Sequence, residues 1–208
     1  MSEKQFSRKE ALLTAALDEF TNFDYERASL NTIIKSSGIS KGVFYYHFEN
    51  KEALYLTLLK TCTDAKWDYI NQQISHQTSG FDVKHFDSMD LFDKFMFQAE
   101  LGLQFAQIHP KYHKLGQMFA QEKGTAIYQT AMTHLHLEGM DVIRPLVLEA
   151  MKKGELKDSY DESFIILLLN HLFSEFDQIF GIDASDSPEI ILQNLRSYLD
   201  FIKYGLKP

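Results

Sequence analysis

Residues 29–48 read SLNTIIKSSGISKGVFYYHF, and this stretch decides the fold. Ser29 and Ser40 each precede a short apolar run, the position at which a hydroxyl accepts a hydrogen bond from a free backbone N–H and starts a helix. The spacing predicts one helix over 30–36 and a second from Lys41 to about Phe48, with Gly38 in the connection between them. Two helices of about two turns joined this tightly make a helix-turn-helix, whose second helix can enter a DNA major groove. Ile39 before the cap and Phe44 at the fourth helical position can form a hydrophobic staple, with Phe48 one turn further along the same face. These three, with Ile33, attach the second helix to the first and leave Lys41, Gly42, Val43, Tyr45, Tyr46 and His47 facing outward. A glycine inside a helix costs up to about 1 kcal/mol relative to alanine, a cost that close backbone approach to a phosphate explains. The free N–H groups at that helix start also suit an anion. Any one of these residues, taken alone, is better read as ordinary surface: tyrosines covering apolar neighbours, lysines as solvated charges. The whole run together favours DNA binding.

Outward from this stretch the chain reads as all α. Leucine occurs 25 times, valine four and proline four among 208 residues, a balance that suits helices because straight-chain side chains keep their rotamers there. Ser7 and Glu10 have capping-box spacing at the start of a first helix whose stripe is Leu12, Leu13, Ala16, Leu17 and Phe20. A long helix starts at Lys51 behind Asn50 and passes Trp67 toward Gln77, before a loop at Thr78, Ser79 and Gly80. Further helices are expected from Met89 to about Ile108, from Lys111 to about Glu122, and from about Thr125 to Lys153, closed by Gly154. Pro145 interrupts the last of these, so it either kinks there or is two helices that meet a few residues earlier. The final pair runs from about Glu162 to Phe180 and, with Ser187 as cap and Pro188 at the first helical position, to about Tyr204.

Composition bounds the function. Hydrophobic residues make up 45% and charged residues 24% of the chain, which excludes extended disorder. Cys62 has no second cysteine to pair with and reads as a buried apolar residue. No apolar run approaches the roughly 18 residues of a membrane span. The patch from Ala11 to Leu17 is followed by Asp18 and Glu19 where a signal-peptide cleavage site would lie, so a cytoplasmic protein without a membrane is expected. The net charge of -8 argues against a polyanion partner until its distribution is considered. Residues 1–60 hold eight bases and eight acids, and the whole deficit lies beyond them, leaving room for a DNA-binding head on an acidic body. His109 and His113 have ligand spacing, but Pro110 between them marks a helix start and no cysteine or carboxylate completes a set; His134 and His136 point to different faces. No metal or cofactor is expected. No nucleophile elbow or phosphate loop appears, and an all-helical enzyme is the third-ranked reading.

The run from Ser40 to Leu54, SKGVFYYHFENKEAL, closely resembles the TetR family of bacterial transcriptional regulators. Ser29 to Ile39 fits the family's first motif helix, and Phe20 with Tyr25 fits the end of its first helix, so the resemblance covers residues 8 to about 58. Asp24 stands where the family usually has glycine, and Ala28 replaces a common threonine. The resemblance implies an N-terminal three-helix DNA-binding domain over residues 1–50 and a helical effector-binding and dimerisation domain over 51–208. It implies that Ser29, Ser40, Lys41, Tyr45, Tyr46 and Lys51 hold phosphates. Asn31, Gly42, Val43 and His47 are better placed for base edges: Asn suits adenine, and Val43 a thymine methyl.

Phe164 to Leu169 is apolar on every side of a helix and calls for burial all round. A monomer core or a two-chain interface would satisfy it, and the family tips the choice to a homodimer built with Ile190, Ile191, Leu195, Tyr198, Leu199 and Ile202. The family also implies an effector pocket, for which Trp67, Phe92, Phe95, Phe105, Tyr112, Met118, Phe119 and Tyr128 are candidates, though most aromatics at helical spacing are core. Asn170, Ser174 and Gln178, flanked by His171 and Glu175, draw a polar stripe that either faces water or lines a pocket or seam. The leading expectation is a repressor that binds a pseudo-palindromic double-stranded operator as a homodimer and is released by a small apolar or amphipathic effector. The alternative is a DNA-binding scaffold regulated by a protein partner.

Overall fold

The computed structural model describes residues 3–75, 83–135, 140–182 and 186–206, and every regular element among them is a helix. They are α1 (Glu3–Phe20), α2 (Leu30–Ser36), α3 (Lys41–His47), α4 (Lys51–Ser75), α5 (Val83–Ser88), α6 (Leu91–Ile108), α7 (Pro110–Gln121), α8 (Ala126–His134), α9 (Met140–Lys152), α10 (Glu162–Ser174), α11 (Phe176–Phe180) and α12 (Pro188–Leu206). The all-α class is as expected.

Several boundaries differ, each for a local reason. α1 begins at Glu3, so Ser7 and Glu10 lie inside it and are no capping box; residues 3–6 contain no helix breaker, and the first stretch of good formers simply continues upstream. Of the two readings of the stretch from Thr125 to Lys153, the structure has the two-helix one, with α8 ending at His134 and α9 starting at Met140. Thr125 caps α8, accepting from the Tyr128 N–H at 3.3 Å, and Leu135 ends it. Pro145 falls inside α9 with its ring exposed and does not break it. The expected helix from Glu162 to Phe180 is interrupted at Glu175, whose N–H donates back to the His171 carbonyl at 3.1 Å. Gly181, at φ +61°, then closes α11 in the left-handed conformation that glycine adopts without a Cβ penalty. The expected loop at Thr78, Ser79 and Gly80, and His136, lie outside the described residues.

Packing divides the chain into two units: residues 1–67 with 106–135, and residues 68–105 with 136–208. This is a different cut from a functional division at residue 50. In the first unit Leu12, Phe20, Ile33, Phe44, Phe48, Leu54 and Tyr55 share one core with Leu115, Ile127 and Ala131 from α7 and α8. The second unit is built on Leu91, Phe92, Val147, Ile165, Ile166, Leu169, Tyr198 and Leu199. Lys94 is the one buried lysine or arginine among the described residues of this unit, and its ammonium donates to Glu149 at 2.8 Å, as a buried charge requires.

Candidate nucleic-acid interface

Two serines start the two helices of the motif. The Ser29 hydroxyl accepts from the Thr32 N–H and the Ser40 hydroxyl from the Val43 N–H, both at 3.3 Å. The N–H of Ser29 itself donates to the Glu19 carboxylate of α1 at 2.8 Å, which sets where α2 begins. Gly38 turns the chain between them at φ +69°, a conformation other residues adopt at a cost. Ile33, Phe44 and Phe48 are buried and Ile39 packs against them, with the Phe44 and Phe48 rings 5.9 Å apart. The apolar side of α3 is thereby fastened down.

The other side of α3 is open. Lys41 and Gly42 are exposed, Val43 and His47 half-buried, and Tyr45 and Tyr46 are 59% and 70% exposed. Two neighbouring aromatic rings standing in water are unusual for a surface with no partner. A Cβ placed on Gly42 would meet nothing closer than the Ser40 hydroxyl at 3.9 Å, so no internal crowding demands a glycine there. Asn31 is exposed and Ser29 half-buried.

Lys51, to which the resemblance gave a phosphate, has partners within the chain. Its ammonium donates to the carbonyls of Tyr25 at 2.7 Å, Ala28 at 3.1 Å and Glu26 at 3.4 Å, and lies 4.4 Å from the Tyr25 ring centroid. Its three donors are committed to the loop that joins α1 and α2, so it holds the loop that presents Ser29. Asp24 stiffens the same loop by accepting from the Arg27 N–H at 2.8 Å and from its guanidinium at 2.6 Å. That N–H above all holds the Asp24 carboxyl below the usual carboxylate range. Ala28, where a threonine is common, is buried.

Sequence reasoning passed over Arg8. α1 brings it beside α3, where Arg8, Gly42, Val43, Tyr46 and His47 line a depression of about 290 Å³. The signal was the position of a base one turn before the α1 apolar stripe, but only the packing of α1 on the motif gives that position a neighbour.

The effector candidates fall in both units. Trp67, Tyr112, Met118, Phe119 and Tyr128 belong to the first, where the Phe119 and Tyr128 rings stack at 4.9 Å and Tyr112 stacks on His109 at 5.6 Å. Phe92, Phe95 and Phe105 are buried in the second, Phe95 against Phe173 at 5.0 Å. Asn170 is half-buried; Ser174 is exposed and its hydroxyl donates to the His171 carbonyl at 2.9 Å. The second unit also has a groove of about 630 Å³ between α6 and α12, floored by Phe92, Met96 and Leu199 and rimmed by Asp93, Arg196 and Lys203. Phe92 alone of the effector candidates lines it. Burial pushes the Cys62 thiol up to about 12. No helix of the described residues is long and apolar enough to cross a membrane, and none of their His, Cys, Asp or Glu side chains gather in a group of three that could hold a metal.

Residues 12–58 match the family model of bacterial regulatory proteins, tetR family. The transcriptional regulator RutR of Escherichia coli K12 is 40% identical over 58 residues, 28% of this chain and 27% of its own, so that match spans about a quarter of the relative's length. The negative transcriptional regulator of the biofilm operon, IcaR of Staphylococcus epidermidis, is 23% identical over 164 residues, 76% of this chain and 88% of its own. A solved TetR-family transcriptional regulator from Chloroflexus aurantiacus covers all of this chain with 95% of its own, at a TM-score of 0.63 and 21% identity, a likeness of fold. The motif carried by α2 and α3 is that of the TetR family of bacterial transcriptional regulators over residues 12–58, and the chain shares its fold with a solved member of that family.

Proposed function

We propose that the protein is a cytoplasmic repressor that occupies a pseudo-palindromic operator as a homodimer and leaves it when a small apolar or amphipathic molecule binds the body. The observation that carries the DNA contact is the open face of α3: a glycine with free space above it, flanked by two exposed tyrosines and a lysine. In this reading Ser29, Ser40, Lys41, Tyr45 and Tyr46 hold phosphates, while Asn31, Gly42, Val43 and His47 approach base edges.

The second unit supports the dimer. α10 leaves Phe164 and Leu167 exposed, and α12 leaves Ile190, Phe201 and Tyr204 exposed, the last two at 78% and 84%. Apolar area of this kind on neighbouring helices favours a second copy of the same surface. Dimerisation also sets two recognition helices to read two half-sites about one helical turn of DNA apart. The groove between α6 and α12 has the volume of a small-ligand site, with an apolar floor and charged rim. A ligand there releases DNA only by binding the released form more tightly.

The test is a footprint of the purified protein on the DNA upstream of its own gene. Protection of two symmetric half-sites is expected; absence of any protected site at concentrations that saturate nonspecific binding would refute the operator reading.

A further inference from the structure

We infer that Arg8 of α1 is a contact to the DNA backbone, which extends the interface beyond the helix-turn-helix. The inference rests on the DNA-binding reading above. A helix turns 100° per residue, so Lys41 and Tyr45 lie on one flank of the exposed face of α3, and Val43 and His47 lie on the other. A helix seated in a major groove has a phosphate strand on either side of it. Lys41 is the only lysine or arginine between Ser40 and Phe48, and it can serve one strand.

The opposite flank is where Arg8 sits. Together with Gly42, Val43, Tyr46 and His47 it borders the depression of about 290 Å³. Arg8 is exposed, and no acidic side chain among the described residues pairs with it. This sets it apart from Arg27, which is held by Asp24, and from Arg144, which is held by Glu162. The adjacent base also behaves differently: Lys9 is half-buried with its ammonium 6.0 Å from the Phe48 ring. The missing side chain at Gly42 keeps the depression open. A guanidinium at its rim can give two parallel hydrogen bonds to phosphate oxygens, a geometry that a lysine supplies only as a point charge. Arg8 therefore completes the charge that α3 lacks on its Val43 and His47 side.

The experiment is a potassium chloride titration of binding, read by fluorescence anisotropy, for the full-length wild type, Arg8→Ala and Arg8→Lys. The probes are a labelled random-sequence duplex and the fragment upstream of the protein's gene. Each phosphate contact contributes about 0.9 to the slope of log affinity against log salt, so Arg8→Ala should flatten the slope by about two per dimer on both probes. Arg8→Lys should recover the slope. Thermal unfolding of Arg8→Ala should match wild type, since the side chain has no internal partner to lose. An unchanged slope for Arg8→Ala overturns the inference, as does a loss confined to the upstream fragment, which would make Arg8 a reader of bases. Wild-type protein that binds neither probe would instead sink the DNA-binding reading.

Discussion

The backbone N–H of Tyr25 donates to the carboxylate of Glu122 at 2.6 Å, across 97 residues of sequence. Glu122 is buried at the end of α7, and Tyr25 lies in the loop between α1 and α2, so the last turn of α7 grips the segment that presents Ser29. The same residue is held at its other backbone group, where the Tyr25 carbonyl accepts from Lys51. Tyr55 closes the cluster, with its ring 5.2 Å from that of Tyr25 and its phenol pushed well above the usual range by burial and then by the Glu122 charge.

Glu122→Ala leaves the Tyr25 N–H without its acceptor and should lower stability by about 1–3 kcal/mol. Glu122→Gln keeps an acceptor and should recover most of the loss. Urea denaturation midpoints measure both; a midpoint unmoved in Glu122→Ala would mean the bond contributes nothing.

Lys51→Met should lower the melting temperature, because three loop carbonyls lose a charged donor. It should not flatten the salt dependence of DNA binding, which a phosphate contact would. Calorimetry and a salt titration separate the two roles.

Gly42→Leu should abolish operator binding while the fold persists. A Cβ at that position has only the Ser40 hydroxyl within 4 Å, and leucine is the better helix former by up to about 1 kcal/mol. Retained wild-type affinity in a mobility-shift assay would remove α3 from the groove.

Leu167→Glu or Phe201→Glu should yield monomers in sedimentation, because each places a charge on a face proposed to meet a second chain. Leu168 and Leu195 are more sheltered within the chain, so charges there would damage the fold and blur the result. A dimer that survives both exposed-face changes would place the interface elsewhere.

Cys62 should alkylate slowly in the native protein. Burial raises its folded value from 9.0 to about 12, which leaves about a thousandfold less thiolate at neutral pH than an exposed cysteine has. The sign follows for stability as well: the contribution from the protonated thiol is present below about pH 9 and is lost as pH rises toward 12. Iodoacetamide labelling against pH checks this, and rapid reaction at neutral pH would contradict it.

Local chemistry made much of this protein legible before its structure. The serine caps at 29 and 40, Gly38 between them and the spacing of Ile33, Phe44 and Phe48 define the motif, because helix starts, turns and apolar faces are set by residues a few positions apart. The same spacing exposes Lys41, Gly42, Tyr45 and Tyr46. What needed the tertiary structure lies at long separation. Lys51 looks like any lysine at a helix start until the loop 23 to 26 residues before it closes over its ammonium. Arg8 is one base among eight in the first 60 residues until α1 lays it beside Gly42, and Glu122 is a surface acid at a helix end until folding brings the Tyr25 N–H to it. A sequence records which groups can donate and accept, but which of them pair is decided when the chain closes on itself, because a charge taken out of water must find its partner wherever packing has placed one.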